Sequence, residues 1–377
     1  MKLFERDHTP SKTRVVVAMS GGVDSSATAC LVHEAGYDVV GITLQLYDHG
    51  MAIGKKGSCC AGQDIYDAQQ VAEKIGFPHY VLDYEQHFKK EVMDDFVSSY
   101  LHGETPIPCV RCNQKVKFRD LMTTAKDLSA EALITGHYVQ RIGPDVGASL
   151  YRAVDHKRDQ SYFMFATTQE QLDFLRFPLG HMPKTEVREH AHRFGLEIAD
   201  KPDSQDICFV PDGKYVSVIE KLRPGSLEPG KIEDVHGNVL GEHSGIINYT
   251  IGQRKGLGIG GGDALYVVHL DPTNHRVIVG PKEYLRCSYV QLKEWNFLEA
   301  PKVLAAKAVL KVKYRSAQEP VRAQLTWQES GIPQVHFLDE EYGVSPGQAC
   351  VIYDSSNERI LGGGWIAKAI TDFNNLY

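Results

Sequence analysis

No run in the 377-residue sequence approaches the roughly 18 uninterrupted apolar residues of a membrane-spanning helix. The opening MKLFERDHTPSKTR has basic residues but neither an apolar core nor a small-residue cleavage site, so no secretory signal is expected and a cytoplasmic location is. A disulfide framework is missing too. Eight cysteines, Cys30, Cys59, Cys60, Cys109, Cys112, Cys208, Cys287 and Cys350, stand at irregular intervals in a long chain, unlike those of a small secreted domain. They read as reduced thiols, a minority of which do chemistry. Positive charge is in short supply: a net charge of -7 argues against a general nucleic-acid coat protein, whose affinity rests on many Lys and Arg contacts with phosphate. Local patches are not excluded by it. Three candidates are KVKFR (Lys115 to Arg119), DHKRDQ (Asp155 to Gln160) and KVKYR (Lys311 to Arg315), each of which alone reads as a solvated face. There is no long internal repeat and no low-complexity linker.

The length implies two or three closely joined domains, at about 100–200 residues each. In the first half, short β-branched runs (RVVVAM, DVVGITLQL, HYVLD, EALITGHY) alternate with helical stretches ending at Glu34, around Asp64 to Ile75 and around Lys89 to Leu101. That alternation predicts βαβ units and a parallel sheet. From about Gly213 glycine and proline become frequent and the apolar runs shorten into strands such as ALYVVHLD and RVIVG. A last segment with AKAVLKVKY, RAQLTW, PQVHFL and QACVIYD predicts an antiparallel barrel. The expected division is therefore an α/β domain over 1–212, a small central domain over 213–285 and a β-barrel over 286–377.

The segment Val15 to Gly36, VVVAMSGGVDSSATACLVHEAG, has the strand, glycine turn and helix start of a phosphate loop but lacks its lysine. A Walker A loop requires G-x-x-x-x-G-K-[ST] and a dinucleotide loop G-x-G-x-x-G, and neither is present. Asp24, Ser25 and Ser26 open a helix whose first-turn N–H groups make an anion site, and Gly36 caps its far end. The pattern S-G-G-x-D-S-S resembles the pyrophosphate loop of N-type ATP pyrophosphatases, which split ATP into AMP and pyrophosphate while adenylating a substrate oxygen. That resemblance implies a Rossmann-like fold and an ATP site formed by Ala18, Met19, Ser20, Gly21, Gly22, Val23, Asp24 and Ser25. Asp24 would help to hold Mg²⁺ against the charge that grows on the leaving group.

Two cysteine segments bear on the acceptor. In TPIPCVRCNQKVKF, Cys109 and Cys112 form a single C-x-x-C, and spacing alone leaves structural zinc with distant ligands, a redox pair and chance all open. In DSQDICFV, Cys208 by itself reads as a buried strand cysteine. Together with ITGHY, KRDQSYF, YTIGQRKGLGIGGG, SPGQACVIYD and LGGGWI, these segments resemble the tRNA-specific 2-thiouridylase family across nearly the whole chain.

The resemblance implies that O2 of the uridine at position 34 of certain tRNAs is adenylated and replaced by sulfur. Cys112 would be the catalytic cysteine, and Cys208 would carry a persulfide delivered by a sulfur-relay protein or a cysteine desulfurase. Thiolate chemistry asks for an electropositive site, with Lys115, Lys117 and Arg119 as candidates for the field. Many family members carry Asp where this chain has Cys109. The third thiol makes a [4Fe-4S] cluster on Cys109, Cys112 and Cys208 an alternative to the persulfide scheme. Leu44 and Gly136 match places where the family's adenine and ribose lie. Ile107, Pro108, Cys109, His137, Arg158, Asp159, Gln160, Lys313, Tyr314, Arg315 and Gln348 match tRNA-facing positions. Cys59 and Cys60 read as structural, and Cys30, Cys287 and Cys350 as core or strand residues. Two other classes stand beside this reading: a carbon-nitrogen ligase using the same loop, which needs no thiols on separate segments, and a metal or redox thiol protein, which needs no pyrophosphate loop.

Overall fold

The computed structural model describes residues 1–47, 60–203, 207–210, 213–260 and 263–375, which group into two compact units. The first consists of Met1–Val92, Cys109–Pro211 and Glu358–Ile360; the second of Met93–Pro108, Asp212–Asn357 and Leu361–Tyr377. Cys59, the Cys60 side chain, Ser204 to Asp206, and Gly261 and Gly262 of the glycine-rich GLGIGGG lie outside the described residues, and so do the expectations that fall on them.

The strands of the first unit are β1 (Arg14–Ala18), β2 (Asp38–Gln45), β3 (His79–Asp83), β4 (Leu133–Ile134), the hairpin β5 (Val139–Ile142) and β6 (Ser149–Arg152), and β7 (Leu175–Arg176). Five of them form a parallel sheet in the order β3-β2-β1-β4-β7. The chain winds outward from β1 to β3, then returns to the other side of β1 for β4. This reversal is a topological switch point, and open α/β sheets bind ligands beyond the carboxyl ends of the strands at such a point. Val15, Val16 and Val17 are fully buried, each worth about 1.5–3 kcal/mol relative to exposure.

Helix α1 (Val23–Glu34) follows β1 and is buried along almost its whole length. Val23, Ala29 and Val32 join the core that contains Val15 and Val17 of the sheet, whereas Ala27 and Leu31 pack with Val187 of the Lys184–Arg193 helix. A helix covered on both sides can afford apolar residues around its circumference, as α1 has. Gly36 ends it as expected, with φ +88° and its N–H donating to the His33 carbonyl at 2.9 Å.

Helix α2 (Cys60–Ile75) agrees with the expected helix around Asp64 to Ile75. The helix expected around Lys89 to Leu101 begins earlier, at Glu85, and passes through π-helical turns over Lys89–Met93 before Asp94–Leu101. The β5-β6 hairpin was not expected, because its four-residue strands flank IGPDVGA, a turn-rich stretch that reads as loop.

The second unit contains a four-stranded sheet of β8 (Gly230–Asp234), β9 (Val239–His243), β10 (Tyr266–Asp271) and β11 (Arg276–Gly280), ordered β10-β11-β8-β9. A barrel follows, built from β12 (Arg286–Phe297), β13 (Leu310–Lys313), β14 (Val321–Trp327), β15 (Pro333–Tyr342), β16 (Ala349–Tyr353) and β17 (Arg359–Thr371). Its order is β12-β15-β14-β13-β16-β17, and β17 pairs back with β12 to close the ring. Cys287 and Cys350 are buried in its core, and Cys30 is buried in that of the first unit, as their apolar neighbours suggest.

Candidate active site

The phosphate-loop candidate leaves β1 at Ala18. Met19 N–H donates to the Ile42 carbonyl at 2.8 Å, keeping the chain on the sheet for one more residue. Ser25 Oγ then ties the turn together, accepting from Ser20 N–H at 3.1 Å and donating to the Gly22 carbonyl at 3.2 Å. Gly21 has φ +71°, and a Cβ there would lie 2.1 Å from the Asp64 carbonyl oxygen, so only glycine fits. A Cβ on Gly136 would come within 3.0 Å of the Asp24 and Ser25 backbone. The loop after β4 therefore lies directly against the start of α1, whose first-turn N–H groups have no partners within the helix. Ser26 Oγ is fully buried in that turn and has no hydrogen-bond partner among the described residues. Leu44, near the carboxyl end of β2, is half-buried.

Asp24 is engaged by residues the sequence reading did not single out. The Tyr138 hydroxyl donates to Oδ1 at 2.7 Å, and Lys184 Nζ lies 2.7 and 2.8 Å from the two carboxylate oxygens. Lys184 also pairs with Asp203 at 2.7 Å, which in turn holds Arg158 at 2.8 Å and Arg188 at 3.4 Å. Burial pushes the Asp203 carboxyl up, but the hydrogen bond and charge of Lys184, with Arg158 and Arg188, win and hold it below the usual range. Burial and the Asp24 charge push the Tyr138 hydroxyl far up, so it remains a neutral donor. Lys201 Nζ reaches the Gly21 carbonyl at 3.1 Å and Asp64 and Asp67 at 2.7 Å each. Nothing local in the sequence announces the contacts of Asp24 and Lys201, whose partners stand more than 100 residues away.

The C-x-x-C pair lies on a short helix, Pro108–Arg111, that continues into π-helical turns over Cys112–Leu121. Such widened turns are rare and often occur at functional sites. Cys109 is exposed and Cys112 buried. Cys208 is exposed and lies in a turn, not in the buried strand that its flanking Ile207 and Phe209 suggest. Phe209 supplies the anchor instead, edge-on to Phe88 with ring centres 5.7 Å apart, and the Tyr47 hydroxyl donates to the Cys208 carbonyl at 2.5 Å.

The three thiols share one electrostatic neighbourhood. Surrounding protein pushes the Cys208 thiol up to about 12, with Cys112 and Cys109 adding to the rise and Lys117 opposing it. Burial likewise raises Cys109 and Cys112 against the pull of Lys117. All three are free thiols, and their setting disfavours the thiolate form that the sulfur chemistry calls for. Desolvation outweighs the single cation. Of the three residues expected to supply the field, Lys117 does so, whereas Arg119 is held by Asp120 at 2.8 Å. His137 joins the group: burial and then Lys117 lower its pKa to about 3, and its Nδ1 lies 2.8 Å from Thr135 Oγ1. Among the described residues no three His, Cys, Asp or Glu side chains are grouped to hold a single metal ion.

The other positions implied by resemblance fall into two classes. Arg158 and Arg315 are exposed. Ile107, Pro108, Lys313 and Tyr314 are buried, and the Tyr314 hydroxyl donates to Glu341 at 2.5 Å. The Gln348 amide donates to the Thr105 carbonyl at 2.9 Å, and Gln160 Oε1 accepts from Tyr138 N–H at 2.9 Å. Asp159 points inward with its side chain 3% exposed, pairing with Arg152 at 2.9 Å and accepting from Ala153 N–H and from Ser161 N–H and Oγ. Asp159→Ala should therefore act on folding: removing the carboxylate from a buried guanidinium costs about 3–5 kcal/mol. Thermal denaturation checks this; a variant with the wild-type melting point and weakened tRNA binding would mean that Asp159 faces RNA.

Residues 13–212 match the family described as tRNA methyl transferase HUP domain, 217–281 the tRNA methyl transferase PRC-barrel domain and 288–366 the aminomethyltransferase beta-barrel domain. The chain is 61% identical over 360 residues to the tRNA-specific 2-thiouridylase MnmA of Dinoroseobacter shibae, covering 95% of this chain and 94% of that one. To the protein of the same name from Rhodospirillum centenum it is 58% identical over 371 residues, covering 96% and 94%. Among solved structures it is similar to a 4-thiouridine synthetase in complex with RNA and ATP, at 18% identity and TM-score 0.34 over 56% of this chain and 50% of that one. Identities of 58–61% sustained almost end to end leave one assignment: the chain belongs to the tRNA-specific 2-thiouridylase family.

Proposed function

We propose that this protein replaces O2 of the wobble uridine of tRNA with sulfur in two steps that share one site. The observation that carries the reading is continuity within the first unit. Gly136 abuts the start of α1, and the next residue, His137, feels the same Lys117 as Cys109, Cys112 and Cys208. A phosphate loop and a set of thiols so joined suit a reaction in which an activated oxygen and an attacking sulfur meet at one carbon.

In the first step the uridine O2 attacks the α-phosphorus of ATP. The bond to the bridging oxygen breaks, and its electron pair leaves with pyrophosphate, which the first turn of α1 and the Ser20 and Ser25 hydroxyls receive. Asp24 is the residue suited to hold Mg²⁺, which when bound supplies charge neutralisation at the phosphates. In the second step the terminal sulfur of a Cys208 persulfide attacks C2 and AMP departs. Cys112 then attacks Cys208 Sγ, leaving the transferred sulfur on the base and a Cys112–Cys208 disulfide for a thiol reductant to open. The donor set also suits a [4Fe-4S] cluster: Cys109, Cys112 and Cys208 would hold it, and it would supply an open position for sulfide. The persulfide is delivered by a sulfur-relay protein or a cysteine desulfurase in the cytoplasm.

The wobble base must leave its stack, at a cost of a few kcal/mol that contacts with the tRNA backbone offset. Arg158 and Arg315 are the exposed candidates for such contacts, and the central domain (213–285) and barrel (286–377) would provide the surface. One experiment tests the whole reading: incubation with ATP, Mg²⁺, a cysteine persulfide donor, a thiol reductant and unmodified tRNA should give AMP, pyrophosphate and 2-thiouridine in equal amounts. Thiolation without pyrophosphate, or modification that requires S-adenosylmethionine, would overturn it.

A further inference from the structure

The loop of α1 lacks the lysine that phosphate loops usually carry, yet a lysine stands at its mouth. Lys184 is the first residue of its helix, where the helix dipole disfavours a cation and acidic residues normally belong. It is also buried, at 8% exposure. A cation so placed needs anions, and the fold provides Asp24 and Asp203. Its position is rigid: Val187 on the same helix packs with Ala27 and Leu31 of α1, and Lys184 N–H donates to Asp155 at 3.2 Å. The ammonium group thus sits within 2.8 Å of a residue in the first turn of α1, beside the N–H groups that make the anion site.

We propose that Lys184 is the pyrophosphate-binding cation of this enzyme, supplied from a helix distant in sequence, and that it changes partner when ATP binds. In the ATP-free protein it neutralises Asp24. With ATP in the loop, the negative phosphates draw the ammonium off Asp24 and leave that carboxylate to the metal. Asp203 remains as its pivot and is not stranded by the exchange, because Arg158 and Arg188 also hold it. As the bond between the α-phosphorus and the bridging oxygen breaks, the electron pair that leaves with pyrophosphate is met by a fixed positive charge. This rests on the adenylation reading above.

The test is pyrophosphate release at saturating tRNA, with inhibition by added pyrophosphate measured alongside. Lys184→Gln should lower kcat for release by about 10²–10³-fold, as loss of a charge-stabilising group does. Its inhibition by pyrophosphate should weaken by about tenfold or more in protein whose circular dichroism spectrum shows it folded, and Lys184→Arg should restore much of the inhibition. A folded Lys184→Gln with wild-type pyrophosphate inhibition overturns the proposal. Asp203→Asn provides a reading that does not depend on Lys184→Gln folding: it keeps Lys184 and removes one of its anions, so inhibition should tighten by about threefold. Unchanged or weaker inhibition there also overturns it. Asp24→Ala separates this proposal from the reading beneath it. If pyrophosphate release survives that change, the loop reading falls with it; if release is lost there but unaffected in Lys184→Gln, Lys184 alone was misassigned.

Discussion

Asp24→Ala should reduce pyrophosphate release, and with it thiolation, by about 10²–10³-fold or more, while the protein still folds and binds tRNA. The size follows from position. Asp24 is the acidic residue of the first turn of α1, and in the proposed reaction its carboxylate would hold the metal that accompanies ATP. The fold should survive because Lys184 keeps Asp203 and the loop's own ties run through Ser25 and Gly22. Lys184 loses one of its two anions and the Tyr138 hydroxyl loses its acceptor, the latter a loss of about 1–3 kcal/mol. Radiolabelled pyrophosphate release and a thermal melt on the same sample provide the check. Undiminished release would remove Asp24 from the reaction.

The cysteine variants should divide the two steps. Cys112→Ala and Cys208→Ala are each expected to lower 2-thiouridine formation by about 10³-fold or more, as loss of a covalent nucleophile does. ATP should still be split by both, because the phosphate loop is built from residues on other segments. Cys109→Asp discriminates between the sulfur schemes. A persulfide enzyme should keep its activity, whereas a cluster on three thiolates would lose a soft ligand and become labile. The measurements belong together, without oxygen, with iron content and thiolation rate taken from the same samples. Full activity in iron-free wild-type protein would eliminate the cluster.

What the sequence made legible is what short-range chemistry dictates. Val15 to Val17, the Ser20-Gly21-Gly22 turn and Asp24 announce strand, turn and helix within a dozen residues, and the alternation that follows announces a parallel sheet. Barrel strands β13 to β16 were legible for the same reason, as their apolar runs are separated by turn residues, whereas β12 and β17, which close the ring, were not read out. Long-range partners were not. Lys184 and Asp24 are 160 residues apart, and neither lies in a pattern that requires the other. Burial of Cys112 was equally hidden, because basic neighbours in KVKFR suggest a field that surrounds it, whereas only Lys117 offsets the desolvation. The KRDQ segment shows the same limit, since Arg158 is exposed and Asp159 turns inward one residue later.

The raised pKa of the three thiols bears on how long the enzyme lasts between turnovers. Peroxide and electrophiles attack the thiolate, so a thiol that keeps its proton is a poor target for oxidation to sulfenic and sulfinic acids. Cys109 and Cys208 belong to exposed residues, and physical cover alone would not spare them. Their raised pKa works in the same direction as cover would, by disfavouring the thiolate that oxidants attack. The same setting slows the sulfur chemistry until substrates bring their own charges into the site, which makes durability and readiness opposite ends of one electrostatic balance.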